Sequence, residues 1–457
     1  MRHIALGRRI AAALAVAGSL ALSLVFAASV SAAPIPGHYI VVLKDSVADP
    51  GAVANEHGQE HGVQRDHLYA HALKGYSAVV SADKVKALRA DPRVQFVSPD
   101  RTVEATAQTL PTGVDRIDAD TSSTLAGNGG GSVNVNVAIL DTGTDAQHPD
   151  LNVAGGKSCV SDKYPATSDP AGHGTHVGGT VGALDNDLGV VGVAPGARLW
   201  SVRVLDKIGR GSLSEIVCGI DWVTATRTDS DSDNDVAVAN MSLSGSGTDA
   251  PDCGVSTADP EHVAICASVA AGVTYVVAAG NEPADFQRAT PAAYDEVLTV
   301  AAMADFDGRP GGQTPRPECD YKSLQKDPER DSDDRATSFS SFATLAADQA
   351  HTVAAPGLCI LSTFPVQGAH DKPFLVVSPG YAYWQGTSMA TPHAAGTVAL
   401  CIHSGDCAGL TPAQIIDKIV SDSAAYNTAT PGYGFQGDPL RPISGKYYGY
   451  LIRAGSY

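Results

Sequence analysis

Cysteine is missing from the first 158 residues of this 457-residue chain; all eight cysteines lie between Cys159 and Cys407. No two of them are spaced Cys-x-x-Cys, so a zinc knuckle has no ligand pairs to build on. An excess of basic residues is also missing. The net charge is -18, which excludes phosphate-backbone binding as the main activity and so excludes nucleic acid as a partner. The acidity belongs to the part after residue 106, which holds 20 basic and 40 acidic residues, where it serves solubility and cation binding but does not set the fold. Internal repeats and long low-complexity tracts are lacking, which removes solenoids and disordered chains. Only one long apolar run exists, so a multi-span membrane protein is excluded as well.

That run, Ile10 to about Val30, follows Arg2, Arg8 and Arg9 and precedes Val30-Ser31-Ala32, the small residues a signal peptidase requires. It reads as a secretory signal over 1–32, cut after Ala32. A membrane anchor is the alternative, but the small-residue site and the absence of a second span favour a secreted product with no stable membrane association. An even number of cysteines in an exported chain points to disulfides. Short separations pair Cys253 with Cys266 and Cys401 with Cys407; elimination then leaves Cys319 with Cys359 and Cys159 with Cys218.

After the signal, His38 to Leu43, Gly75 to Val80 and Val94 to Ser98 read as strands. Ala52 to His61 reads as a polar helix, and Ser81 to Ala90 as a capped one stopped by Asp91-Pro92. This is a small cysteine-free α+β module, in which His57, His61, His67 and His71 read as a solvated polar face. From about Ala107 strands alternate with helices: Val133 to Leu140, Arg198 to Leu205, Asp235 to Asn240, Val273 to Ala279 and Val297 to Ala302 are strands, with Ser212 to Thr226 and Glu261 to Ala271 helical between them. The fold class is therefore α/β, a mainly parallel sheet with helices on both faces, where chemistry sits at the carboxyl ends of strands. Asp305 to Arg335, polar and rich in Pro and Gly, reads as a long surface loop tied through Cys319. The Tyr- and Gly-rich tail from Tyr426 is taken into the same domain.

Four residues occupy positions suited to nucleophilic catalysis. Asp141 ends the first of these strands in Leu-Asp141-Thr-Gly; alone it is equally a turn opener or half of an aspartic-protease pair, although no second Asp-Thr-Gly exists. His173 sits in Gly-His173-Gly-Thr-His176, where small neighbours allow close approach and the lack of an intervening Glu makes a general base a better reading than zinc. Asn281 follows a strand in Ala-Gly-Asn281-Glu, able to donate to an oxyanion or merely to make a turn. Ser388, in Gly-Thr-Ser388-Met-Ala-Thr-Pro-His, begins an apolar helical run: either a cap or a nucleophile at the positive end of a helix.

Together, in that order, Asp-Thr-Gly, Gly-His-Gly-Thr-His and Gly-Thr-Ser-Met-Ala-Thr-Pro-His resemble the three signature blocks of the subtilases, the subtilisin-like serine proteases. The likeness runs from about Gln108 to about Ser421, and the preceding module resembles the family's propeptide. The resemblance implies a secreted endopeptidase acting on protein or peptide substrates, with Ser388 as nucleophile, His173 as base, Asp141 orienting it and Asn281 at the oxyanion. It also implies self-processing: residues 33–106 form an intramolecular inhibitor and folding assistant, with Val103 in the fourth subsite and a junction near Thr106, and 107–457 form the catalytic domain. Ser242, Leu243 and Ser244, facing Gly209, Gly211 and Leu213, would bind substrate backbone, and Ala289 would floor an apolar first pocket. Catalysis would need no cofactor. A structural calcium would be held by Gln108, Asp150 and Asn186 with carbonyls of Leu184, Leu188 and Val190. Rival classes are a non-catalytic peptide-binding module and an α/β-hydrolase esterase; the second requires Gly-x-Ser-x-Gly, where this chain has Ala390.

Overall fold

The computed structural model describes residues 34–101, 108–312, 314–317, 319, 331–367, 369–370 and 375–457. The signal segment, Val103, Thr106 and Ala107 lie outside the described residues. The chain divides into two compact units, Met1–Ala105 and Thr106–Tyr457.

In the first unit, β1 (Pro34–Leu43), α1 (Pro50–His61), β2 (Gln64–Tyr69), β3 (Gly75–Val79), α2 (Ala82–Ala90) and β4 (Val94–Arg101) form an antiparallel sheet of order β2-β3-β1-β4 with two helices. Val41, Leu43, Tyr76 and Leu88 centre its core. Asp49 caps α1 by accepting from the N–H groups of Gly51 and Ala52. The expected Ser81 cap is not made: Ser81 stands at the N-cap of α2 with no side-chain cap hydrogen bond. Strand β2 was invisible to apolar alternation because it is a polar, mostly exposed edge. His57 does not belong to a solvated face. It is fully buried, with Nδ1 2.6 Å from the Tyr76 hydroxyl and Nε2 3.0 Å from Asp91, so an imidazole with a polar partner on each ring nitrogen fills the module's core.

The second unit contains α3 (Thr112–Arg116), β5 (Asn136–Asp141), β6 (Val153–Ser158), α4 (His173–Gly182), β7 (Arg198–Arg203), α5 (Leu213–Thr226), β8 (Val236–Met241), β9 (Gly245–Ser246), α6 (Pro260–Ala270) and β10 (Thr274–Ala278). It continues through β11 (Ala289–Thr290), β12 (Leu298–Ala304), β13 (Arg335–Ala336), α7 (Ala346–Ala350), β14 (Thr352–Leu358), β15 (Ile360–Thr363), β16 (Leu375–Ser378), β17 (Tyr381–Trp384), α8 (Thr387–Ser404), α9 (Pro412–Ala429) and β18 (Tyr450–Leu451). The main sheet has the order β18-β14-β12-β10-β8-β5-β7-β6, parallel along that path, with β13 antiparallel to β12. Every residue of β5, β10, β12 and β14 is buried, the pattern of strands covered on both faces. Helix α8 packs across β8, β10, β12 and β14, while α5 and α6 pack on each other. The chain leaves β5 toward β7 and β6 on one side and returns to β8 on the other, which makes the β5/β8 boundary a topological switch point, where the strands' carboxyl ends open a crevice.

The four cysteine pairings expected from the sequence are all formed. The segment from Asp305 is not simply a surface loop. Its ends are buried: Asp305, Asp331, Asp333 and Asp334 lie inside, and the fully buried Arg116 bridges Asp334 (2.7 Å) and Asp305 (3.3 Å). A charged core of this kind is invisible to hydrophobic patterning. The tail contributes β18 to the sheet edge, paired with β14.

Candidate active site

Strand β5 reads Asn-Val-Ala-Ile-Leu-Asp, and its last residue, Asp141, is fully buried at the switch point. Helix α4 begins at His173, and the position of that first residue is fixed by another acid. Asp169 accepts from Ala171 N (3.1 Å) and Gly172 N (2.8 Å) on one oxygen, and from Thr175 N (2.8 Å) and Thr175 Oγ1 (2.7 Å) on the other. It also accepts from Thr142 Oγ1 (2.8 Å), and Thr142 Oγ1 in turn receives Gly174 N (3.0 Å). One buried carboxylate thus ties the loop before α4 and its first turn to the residue after Asp141; burial pushes that carboxyl's pKa up, against these bonds. Gly174 is needed for the approach, because a Cβ there would overlap the Gly143 carbonyl and lie 3.0 Å from the Asp141 Cβ.

His173 Nδ1 consequently lies 2.8 and 2.9 Å from the two Asp141 oxygens. An ionised carboxylate can only accept, so Nδ1 carries the proton in that contact. The imidazole and the Trp384 ring stand nearly perpendicular, with centroids 5.4 Å apart. His176, one turn on, is fully buried with Nε2 between the carbonyls of Ile360 (3.0 Å) and Ala382 (3.1 Å), a packing role.

Ser388 is the second residue of the 18-residue helix α8, whose N-cap is Gly386. It does not cap the helix: its Oγ donates to the Ser242 carbonyl at 3.3 Å, while Ser242 Oγ donates to the Ser388 carbonyl at 2.9 Å and accepts from Asn240 Nδ2 at 3.0 Å. Asn281, just beyond β10, uses its carbonyl oxygen to accept from Thr387 N (2.8 Å) and Thr387 Oγ1 (3.0 Å). Its amide nitrogen makes no hydrogen bond among the described residues, so it is a donor held in place beside the positive end of α8.

A cleft of about 580 Å³ holds Thr142 and His173, with Leu205, Gly209, Gly211 and Leu213 on one wall and Ser242, Leu243, Ser244, Gly245 and Ser246 on the other. The structure therefore brings six of the sequence-predicted subsite residues to one groove. Ala289 pairs with Ser246 in the short β9/β11 ribbon, and its neighbour Thr290 lines the cleft. The cleft also contains Glu261, which the sequence reading named only as the start of a helix. It is 4% exposed, its Oε1 has no hydrogen-bond partner, and burial, reinforced by Asp259, pushes its carboxyl up to about 7. Asp169 was missed too; its signal was an Asp-Pro turn four residues before His173.

Gln108, Asp150, Leu184, Asn186, Leu188 and Val190 also converge. The Gln108 side-chain amide faces the carbonyls of Leu184 (2.6 Å), Val190 (3.3 Å) and Leu188 (3.5 Å). The fully buried Asp150 accepts from Asn186 Nδ2 (3.2 Å), Val190 N (3.1 Å) and the Tyr381 hydroxyl (3.2 Å). Burial lifts its carboxyl to about 6, and among the described residues no lysine or arginine pairs with it. The donor set is oxygen-rich with an uncompensated buried acid, which fits a hard cation.

Residues 132–436 match the Subtilase family, and residues 38–106 match Peptidase inhibitor I9. The chain is similar to Subtilisin E of Bacillus subtilis (strain 168), 32% identical over 367 residues, 80% of this chain and 78% of that protein. It is similar to Subtilisin of Bacillus pumilus, 34% identical over 331 residues covering 72% and 96% of the two chains. Alkaline protease of Shouchella clausii is 32% identical over 324 residues, 71% of this chain and 68% of that protein.

Proposed function

This chain belongs to the subtilase family and is accordingly a serine endopeptidase with an inhibitory propeptide module, and we propose that Asp141, His173, Ser388 and Asn281 carry its chemistry. His173 Nε2 takes the proton of the Ser388 hydroxyl as Oγ attacks the scissile carbonyl, Asp141 holds the Nδ1–H and stabilises the imidazolium, and the proton passes to the leaving amine. The negative oxygen formed in that step meets the Asn281 amide nitrogen and the Ser388 backbone N–H, donors already oriented at the start of α8. Water then repeats the sequence on the acyl-enzyme. Hydrolysis of this kind needs no catalytic cofactor.

Substrate backbone lies extended between Gly209 to Gly211 and Ser242 to Ser244 as an added strand. The small Ala289 near the first pocket favours cleavage after apolar residues, and Leu213 stands beside the fourth subsite. The precursor is exported by residues 1–32 and cuts itself near Thr106. Residues 33–106 then remain as intramolecular inhibitor until they are removed from the catalytic domain, 107–457. Calcium fits the Gln108, Asp150, Leu184, Asn186, Leu188 and Val190 cluster, where it would supply the missing positive charge and fasten the 184–190 loop to the start of the domain; Asp150 and Gln108 are the side chains that would hold it.

The observation that carries this reading is the His173 Nδ1 contact of 2.8 Å with the buried Asp141 at the switch point, beside a cleft lined by His173 and by Ser242, to whose carbonyl the Ser388 hydroxyl donates. Expression of Ser388→Ala beside the wild type tests it. Uncut precursor accumulates only in the variant, and a phosphonate probe labels the wild type at Ser388. Processing of the variant at the wild-type rate would overturn the assignment.

A further inference from the structure

The starts of β12 and β14 lie at the sheet end opposite the catalytic cleft, since Asp141, Ser242 and Asn281 all follow strand carboxyl ends. There His351 is 4% exposed, and neither ring nitrogen reaches a partner in hydrogen-bonding geometry. Burial lowers its pKa, against the pull of Asp295, the Val297 backbone and Glu296. Asp348, in α7, is 3% exposed, and its Oδ2 also lacks a partner. Asp295, just before β12, completes the group: one ligand-type atom from each of the three residues lies within 4.8 Å of the other two, with His351 Nε2 3.9 Å from Asp295 Oδ1. The Asp348 carboxyl is pushed up to about 6, first by burial and then by Asp285, Asp295 and Asp249. Among the described residues no lysine or arginine pairs with any of these four acids.

Buried polar groups are normally satisfied, and an unused imidazole facing an unused carboxylate inside a field of uncancelled negative charge requires an explanation. We propose that Asp295, Asp348 and His351 bind one divalent metal ion of the zinc class. A neutral imidazole with two carboxylates suits such an ion, whereas calcium takes oxygen ligands only. Ligand bonds of about 2.0–2.2 Å keep ligand atoms within roughly 4.4 Å of one another, so only a small closing movement is needed. Asp295 supplies it: it is 55% exposed, free to swing, and also marks the entry path. Three protein ligands leave a place for water, and the ion clamps α7 to the turn that starts β12. Its role is structural, and it shares no residue with the catalytic cleft.

The test is titration of the purified full-length protein with zinc chloride against a chromophoric chelator, beside Asp295→Asn and His351→Gln, with calcium present throughout and thermal midpoints read in parallel. The wild type takes up one zinc that both variants bind at least about tenfold more weakly, and zinc raises the midpoint of the wild type alone. Asp295→Asn, at a half-exposed position, gives a folded variant even if His351→Gln does not. Equal zinc affinity in wild type and Asp295→Asn overturns the proposal. So does a midpoint that responds to calcium through Asp295 but not to zinc.

Discussion

Ser242 and Ser388 are bonded in both directions: the Ser242 hydroxyl donates to the Ser388 carbonyl at 2.9 Å, and the Ser388 hydroxyl donates to the Ser242 carbonyl at 3.3 Å. The wall that would pair with substrate is thus fastened to the residue that would attack it. Ser242→Ala leaves the carbonyl but removes two bonds, the one donated to the Ser388 carbonyl and the one accepted from Asn240 Nδ2; loss of the first is expected to lower kcat/KM about three- to tenfold, the worth of one buried hydrogen bond. Steady-state kinetics on a chromogenic peptide check this, with the loss falling mainly in kcat.

Asn281→Leu keeps the volume and removes the free amide nitrogen. Because that donor matters only once the carbonyl oxygen becomes negative, kcat falls roughly a hundredfold to a thousandfold with KM little changed. A comparable rise in KM at unchanged kcat would place Asn281 in ground-state binding instead.

The Asp150 carboxyl is held at about 6 in the fold against an ordinary value of 3.8. A raised carboxyl means that the folded protein holds the proton more tightly than the unfolded one. The stability linked to it is present below about pH 4 and is lost as pH rises through about 6, on the order of 2 kcal/mol. Calcium reverses that loss by replacing the proton. Thermal midpoints of the chelator-treated protein should therefore fall from pH 4 to pH 7 and recover with added calcium, while Asp150→Asn flattens both responses.

Glu261 places a buried carboxyl with a free oxygen in the cleft. Held at about 7, it is neutral in mild acid and charged in mild alkali. Peptide-library profiling should show a preference for Lys or Arg, at the substrate position that meets Glu261, growing as pH rises from 6 to 8. Glu261→Gln removes that pH dependence.

The strand ends were legible because apolar runs such as Val137 to Leu140 stop at polar residues within Gly-punctuated motifs, and that punctuation is local in sequence. Asp141, His173, Asn281 and Ser388 could be read for the same reason. What escaped was stabilised by distant polar partners. Strand β2 exposes Gln64 to Leu68 and pairs with β3 alone. Arg116 is paired with acids more than 180 residues away, and charge inside a core has no periodicity to betray it. Asp169 and His57 looked like ordinary surface residues because their neighbours in sequence are polar, while their neighbours in space are donors and rings. The cap reading of Ser388 could be set aside only by seeing that its hydroxyl turns away from the helix toward Ser242.

Every cystine falls in the second unit, the longest closing a span of 59 residues between Cys159 and Cys218, and the first unit has no sulfur cross-link among its residues. Cross-links restrict the unfolded ensemble, so the two units differ in how often they open to a passing protease. The unlaced one is the more digestible. Limited proteolysis of the whole chain is therefore expected to erode the first unit and to spare the second.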